Sequence, residues 1–185
     1  MRLPSIFFAL LLLASCGGGE SVRTAECDTW FWDGSVGTCL PKGWESIDAD
    51  ALEEEGIPAE VVAAFRSDID ISGRHPAVTV TREFLTEDIP SSEYSQASVD
   101  SVKSHPEYTL LDLRDQEVDG DDVELHIFTA QLDEETPVLR FYQLSAVKAK
   151  IGYAFTAAVP LTIASEIEDE ILLILEHMTF EEPKE

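Results

Sequence analysis

The sequence predicts an α+β fold: an antiparallel β-sheet flanked by helices. Three observations carry this. Residues 108–159 hold four strand-length segments in tight succession, each closed by turn residues. Residues 161–178 repeat isoleucine at helical spacing. Between 76 and 104 a short β-branched strand runs into a helix opened by Asp88-Ile-Pro90-Ser91. A chain of 185 residues fits one main domain.

Composition narrows the function classes. Lys and Arg number 12 against 37 Asp and Glu, a formal net charge of -25, which argues against a nucleic-acid binder. Hydrophobic residues make up 44%, ordinary for a packed core, so the acidity does not signal disorder. With only five lysines, the surface fits salty surroundings, where screening removes self-repulsion; recruitment of a basic partner is the functional alternative.

The N-terminus reads as an address. Arg2 precedes an apolar run from Ile6 to Leu13, too short to span a bilayer, followed by Ala14 and Ser15. Leu13-Ala14-Ser15-Cys16 resembles the bacterial lipobox, which implies a signal peptide over 1–15 and a diacylglycerol on the Cys16 thiol, with palmitate among its acyl chains. Two or three chains anchor stably where one does not. Residues 16–26 form the lipidated cysteine and a glycine-rich tether of roughly 17 Å r.m.s. reach. Gly17, not Asp, follows Cys16, which in a two-membrane host favours the outer membrane. The expected location is thus exported and membrane-anchored.

Residues 27–181 are expected to form the domain and 182–185 a polar tail. Its first element is an aromatic hairpin, Cys27-Asp-Thr-Trp30-Phe31-Trp32-Asp33-Gly34. A three-residue loop over Trp32–Gly34 sets Cys27 opposite Cys39, a cross-strand disulfide expected in an oxidising compartment. Free thiols or a metal site are the alternatives, but no histidine lies within thirty residues of either cysteine. Trp30, Phe31 and Trp32 alternate faces. Either one or two rings pack on the core and another stays half exposed, or Trp30 and Trp32 form a partner- or membrane-facing patch.

Pro41-Lys42-Gly43-Trp44 breaks the second strand and leads to a short helix capped by Asp48 or Asp50 and ended by Gly56. Ile57–Phe65 reads as a second helix with Pro58 early and Val61, Val62 and Phe65 as its stripe. Residues 76–82 form a strand. The next helix runs to about Ser104, with Tyr94, Ala97, Ser98 and Val102 as its weak buried face, and His105-Pro106 ends it. Strands follow over 108–118, 123–132, 138–147 and 150–159; Asp119-Gly120 is a clear hairpin signal. The last strand is apolar on both faces and requires cover on both. Helix 161–178 sets Ile163, Ile167, Ile171, Ile174 and Met178 inward, with Glu166, Asp169, Glu170 and Glu176 on its surface.

This order resembles the PsbP-like domains, including the DcrB-like and LpqN-like bacterial lipoproteins. The carrying residues are Pro41, Gly43 and Trp44, the strand Val78-Thr-Val80 followed by Ser92-Glu-Tyr94, Val118-Asp-Gly120 and Phe180. The resemblance covers about residues 36–181. It implies an α/β/α sandwich and an exported accessory role without known catalysis.

No nucleophile elbow, phosphate loop, dinucleotide fingerprint or zinc-protease motif is present, so no catalytic residue and no cofactor is expected. Glu124 and His126, two apart on one face of a strand, could bind a metal, but an exposed strand face is the expected reading. Asp119, Asp121 and Asp122 are weak calcium candidates, since the spacing is not that of an EF-hand loop and a solvated acidic turn is the default. The expected function is a lipid-anchored scaffold that binds another envelope protein, with a small-ligand or calcium module as the alternative.

Overall fold

A computed structural model describes residues 25–183 except 48, 55, 72 and 134. Cys16, the expected signal peptide over 1–15 and most of the expected tether therefore lie outside the described residues. The hairpin β1 (Cys27–Trp32) and β2 (Gly37–Pro41) forms its own two-stranded sheet. The main sheet contains β3 (Trp44–Ile47), β4 (Val61–Ser67), β5 (Ala77–Phe84), β6 (Thr109–Val118), β7 (Asp121–Ala130), β8 (Leu139–Lys148) and β9 (Ile151–Val159). Its order is β3-β4-β5-β9-β8-β7-β6, antiparallel throughout. Among the described residues three helices join it: α1 (Ala49–Glu54), α2 (Ser91–Val102) and α3 (Ser165–Glu176).

Period-two alternation divides the sheet into two faces. Val78, Val80, Leu125, Ile127, Tyr142, Leu144, Phe155 and Ala157 point to the α3 side, where Ile167, Ile171, Ile174 and Leu175 close the main core. The α2 side is thinner: Phe128 and Phe141 stack at 5.0 Å, and Tyr108 and Val102 pack against them. β9 lies between β5 and β8, which explains its apolar composition on both faces. The expected four-strand run is present with shifts of one or two residues at its ends.

The structure corrects several expectations. Residues 57–65 do not form a helix; β4 starts at Val61 and pairs with β3 and β5. Pro58 instead accepts the Val61 amide in a turn. Valines at 61 and 62 with Phe65 fit a helical stripe, but β-branched residues beside an open strand edge gain more from the ladder. β3 was not foreseen, because Pro41-Lys42-Gly43 only reverses the chain, with Gly43 at φ 85°, and Trp44 re-enters the main sheet. α3 starts four residues later than expected, after extended Ala164. The buried face of α2 is Ser91, Tyr94, Ser95 and Val99 rather than one built on Ala97 and Ser98.

Candidate functional site

Three places hold the sequence-predicted residues. The first is the hairpin. Cys27 and Cys39 are disulfide-bonded, with Cα atoms 5.6 Å apart. They are not directly opposite, however: Cys39 faces Trp30 and Cys27 faces Pro41. Asp33 holds a four-residue turn by accepting the Ser35 and Val36 amides at 2.7 and 2.8 Å, which shifts the expected register, and an irregularity between Cys27 and Thr29 restores the cysteines to bonding distance. Phe31 turns inward onto Phe65 at 4.9 Å. Trp30 and Trp32 therefore share the opposite face. Trp30 is 45% exposed and meets the His177 ring edge-on at 5.9 Å. Trp32 is half-buried over Gly37, where a Cβ would lie 2.8 Å from the indole and 2.7 Å from the Phe31 carbonyl oxygen. Gly37 also exchanges backbone hydrogen bonds of 2.8 and 2.9 Å with Thr179, which joins the hairpin to the end of α3.

The second place is the acidic turn. Asp119 and Gly120 both adopt positive φ, 50° and 91°, the mirror-image turn that Asp-Gly favours. The three calcium candidates do not converge there. Asp119 accepts the Thr179 hydroxyl at 2.8 Å and the Phe180 amide at 2.6 Å. Asp121 accepts the Ser91 hydroxyl at 2.8 Å. Asp122 is exposed and instead lines a cleft with Asp115 and Glu124. Among the described residues no group of three or more His, Cys, Asp or Glu is placed to hold a metal ion.

The third place is the sheet face under α2. The β7–β8 ladder ends at Leu125–Leu144, and two serines of α2 take over beyond it. Ser91 Oγ exchanges hydrogen bonds with the Val147 amide and carbonyl at 3.1 and 3.3 Å, and Ser95 Oγ accepts the Glu124 amide at 2.9 Å. This is why serines, poor interior helix residues, are buried on α2: they satisfy backbone groups where the strands part. Next to them His126 is 1% exposed, not solvated as the sequence led us to expect. Its Nε2 is 3.0 Å from the Tyr108 hydroxyl and its ring stacks on Phe128 at 4.4 Å. Burial lowers its pKa to about 4, and the positive charge of Lys103 adds to the effect.

No family model matches the chain, and no curated protein matches it. Among solved structures, the cyanobacterial PsbP of Synechocystis superposes with a TM-score of 0.51 at 13% identity, over 90% of this chain and 97% of that one. The fold is PsbP-like. A Pseudomonas aeruginosa protein of unknown function superposes with a TM-score of 0.47 at 14% identity, over 76% of this chain and 85% of that one. The PsbP-like sheet accounts for residues that sequence reasoning passed over. Glu170, expected only on the surface of α3, accepts the Trp44 indole N–H at 2.8 Å, and Glu168 accepts the Tyr142 hydroxyl at 2.9 Å. These two carboxylates fix α3 to opposite parts of the sheet. The only sequence signal for either was that both fall beside the isoleucine stripe.

Proposed function

We propose that this chain is an exported, lipid-anchored accessory protein that binds another envelope protein and does no chemistry. The lipobox-like Leu13–Cys16 supports the anchor, with the outer membrane as its location in a two-membrane host. The PsbP-like fold supports an accessory rather than catalytic role, and the sequence holds no catalytic motif. The observation that carries partner binding is Trp30: a large aromatic left 45% exposed on a hairpin held rigid by the disulfide and by Thr179. Tryptophans in such settings are typical interface anchors.

A photo-reactive residue at position 28, exposed on the same strand beside an intact Trp30, in the full-length chain expressed in cells, tests this. The expected result is one envelope protein crosslinked in every replicate and lost with Cys16→Ser, which also loses incorporated palmitate. An acylated, folded protein that crosslinks only lipid, or nothing, overturns the reading. Calcium binding gains no support from the geometry, because Asp119 and Asp121 already hold protein donors. A melting temperature unchanged by millimolar calcium is expected; a clear rise would put the calcium module in its place.

A further inference from the structure

β6 forms one edge of the main sheet, and its outer side carries no backbone partner among the described residues. Which of its amides point outward follows from the turn. A two-residue hairpin makes Val118 and Asp121 a hydrogen-bonded pair, so alternation leaves Glu117, Asp115 and Leu113 as non-bonded positions whose N–H groups face away from β7. Leu113 agrees: its N–H is taken by the Asp112 carboxylate at 3.0 Å, and Arg114 holds the other carboxylate oxygen at 2.6 Å. This small latch is the edge's main protection against strand pairing.

The rest of the edge is open and chemically two-sided. Leu110, Leu111 and Leu113 are 48%, 47% and 39% exposed, with Leu111 at a bulge. Asp115 and Glu117 share the face of Leu113. Beside them, between β6 and α2, lies a cleft of about 440 Å³ that Asp115, Asp122 and Glu124 line with Ser92 and Gln96. One carboxylate oxygen of Glu124 is buried without a hydrogen-bond partner. Lys103 is near enough to feel Glu124, but its ammonium is bonded to Asp100 at 2.7 Å. A buried, unpartnered carboxylate oxygen is costly and calls for a donor.

We propose that β6 accepts an extended segment of the envelope partner as an added strand, with lysine or arginine side chains entering the acidic cleft and apolar side chains covering Leu110 and Leu113. The inference rests on the partner-binding reading above and supplies its second contact and the partner's chemistry. A second copy of this chain is the wrong occupant on charge: pairing β6 with itself would crowd Asp112, Asp115 and Glu117 of both copies, on a chain of net charge -25. The recognition mode is strand addition, in which backbone hydrogen bonds give affinity and alternate side chains give specificity.

The test uses the full-length chain in detergent micelles and a fluorescent ten-residue peptide whose alternate, same-face positions are lysine in one half and valine in the other, with serine between them, and the same peptide with glutamate for lysine as control. The lysine peptide is expected to bind, to weaken as salt rises, and to slow hydrogen exchange at the amides of Leu113, Asp115 and Glu117. Glu117→Pro removes one outward amide, a substitution that edge strands tolerate, and is expected to weaken binding at least tenfold relative to Glu117→Ala. Leu113→Lys, at an exposed position, and Glu124→Gln are each expected to weaken it severalfold. Equal binding by Glu117→Pro and Glu117→Ala, or no binding at all, overturns strand addition. Self-association in sedimentation that Glu117→Pro abolishes overturns the basic partner in favour of a second copy. A crosslink from position 28 that Glu117→Pro leaves unchanged removes the β6 site and leaves the envelope-partner reading intact. Loss of that crosslink in the unmodified chain, with peptide binding retained, removes the partner reading alone.

Discussion

His126 illustrates how a single buried residue sets a response of the whole protein. It is neutral in the folded chain because burial, reinforced by Lys103, lowers its pKa to about 4. In the unfolded chain it titrates near 6.5. The unfolded state thus binds more protons between these values, so this contribution to stability is complete above about pH 6.5 and is lost as pH falls towards 4. The difference amounts to roughly 3 kcal/mol. Urea unfolding of His126→Gln between pH 7 and pH 4.5 should show a shallower loss of stability than the parent chain; parallel slopes would show that the histidine is not the source.

Gly152 makes a steric argument at the same scale. A Cβ there would overlap Cζ, Cε2 and the hydroxyl oxygen of Tyr94. Gly152→Ala should displace Tyr94 and loosen α2, at a cost of about 2–3 kcal/mol by overpacking. The double variant with Tyr94→Phe should recover little of it, because the clash involves ring carbons as well as the hydroxyl. Thermal unfolding of both variants checks this.

At the scale of elements, the two long hairpins use one turn geometry with different residues. β6–β7 turns on Asp119-Gly120, suited to positive φ, whereas β8–β9 turns on Ala149 and Lys150 at φ 52° and 63°. Side chains with a Cβ are strained there. Ala149→Asn with Lys150→Gly should therefore stabilise the chain by about 1 kcal/mol, read as a higher denaturant midpoint at unchanged slope. This contrast also shows what the sequence could reveal. Asp-Gly announced its turn; Ala-Lys could be located only because strand-like segments flank it. β4 was misread because Val61, Val62 and Phe65 satisfy helical and extended patterns alike, and only the partners β3 and β5 decide between them. The polar face of α2 was misread for a related reason. Ser91 and Ser95 are buried to serve backbone groups on β7 and β8 that are more than 25 residues away in sequence.

For the whole molecule, charge dominates. At -25, self-repulsion opposes the compact state, and added salt screens it. The melting temperature should rise between 20 mM and 1 M sodium chloride, with sodium sulfate more effective than chloride. A flat response would mean that local ion pairs such as Arg66–Glu45 offset the repulsion. The acidity was fully legible in composition, but its organisation was not. The three aspartates of the turn lie within four residues yet serve three purposes: Asp119 restrains the C-terminal segment, Asp121 accepts the Ser91 hydroxyl of α2, and Asp122 faces the cleft. The open edge of β6 was likewise hidden, because strand order across the sheet cannot be read from the order of strands along the chain.

The disulfide and the Gly37–Thr179 bridge have a mechanical consequence. Tension applied to the chain ahead of Cys27 passes through the sulfur bond directly to Cys39 and on towards Trp44, so the tip of the hairpin bears no load. Thr179, beside Gly37, ties the far end of the chain to the same place. A tug at the start of the domain is therefore shared at once with α3, and the seven-stranded sheet behind it can stay in register.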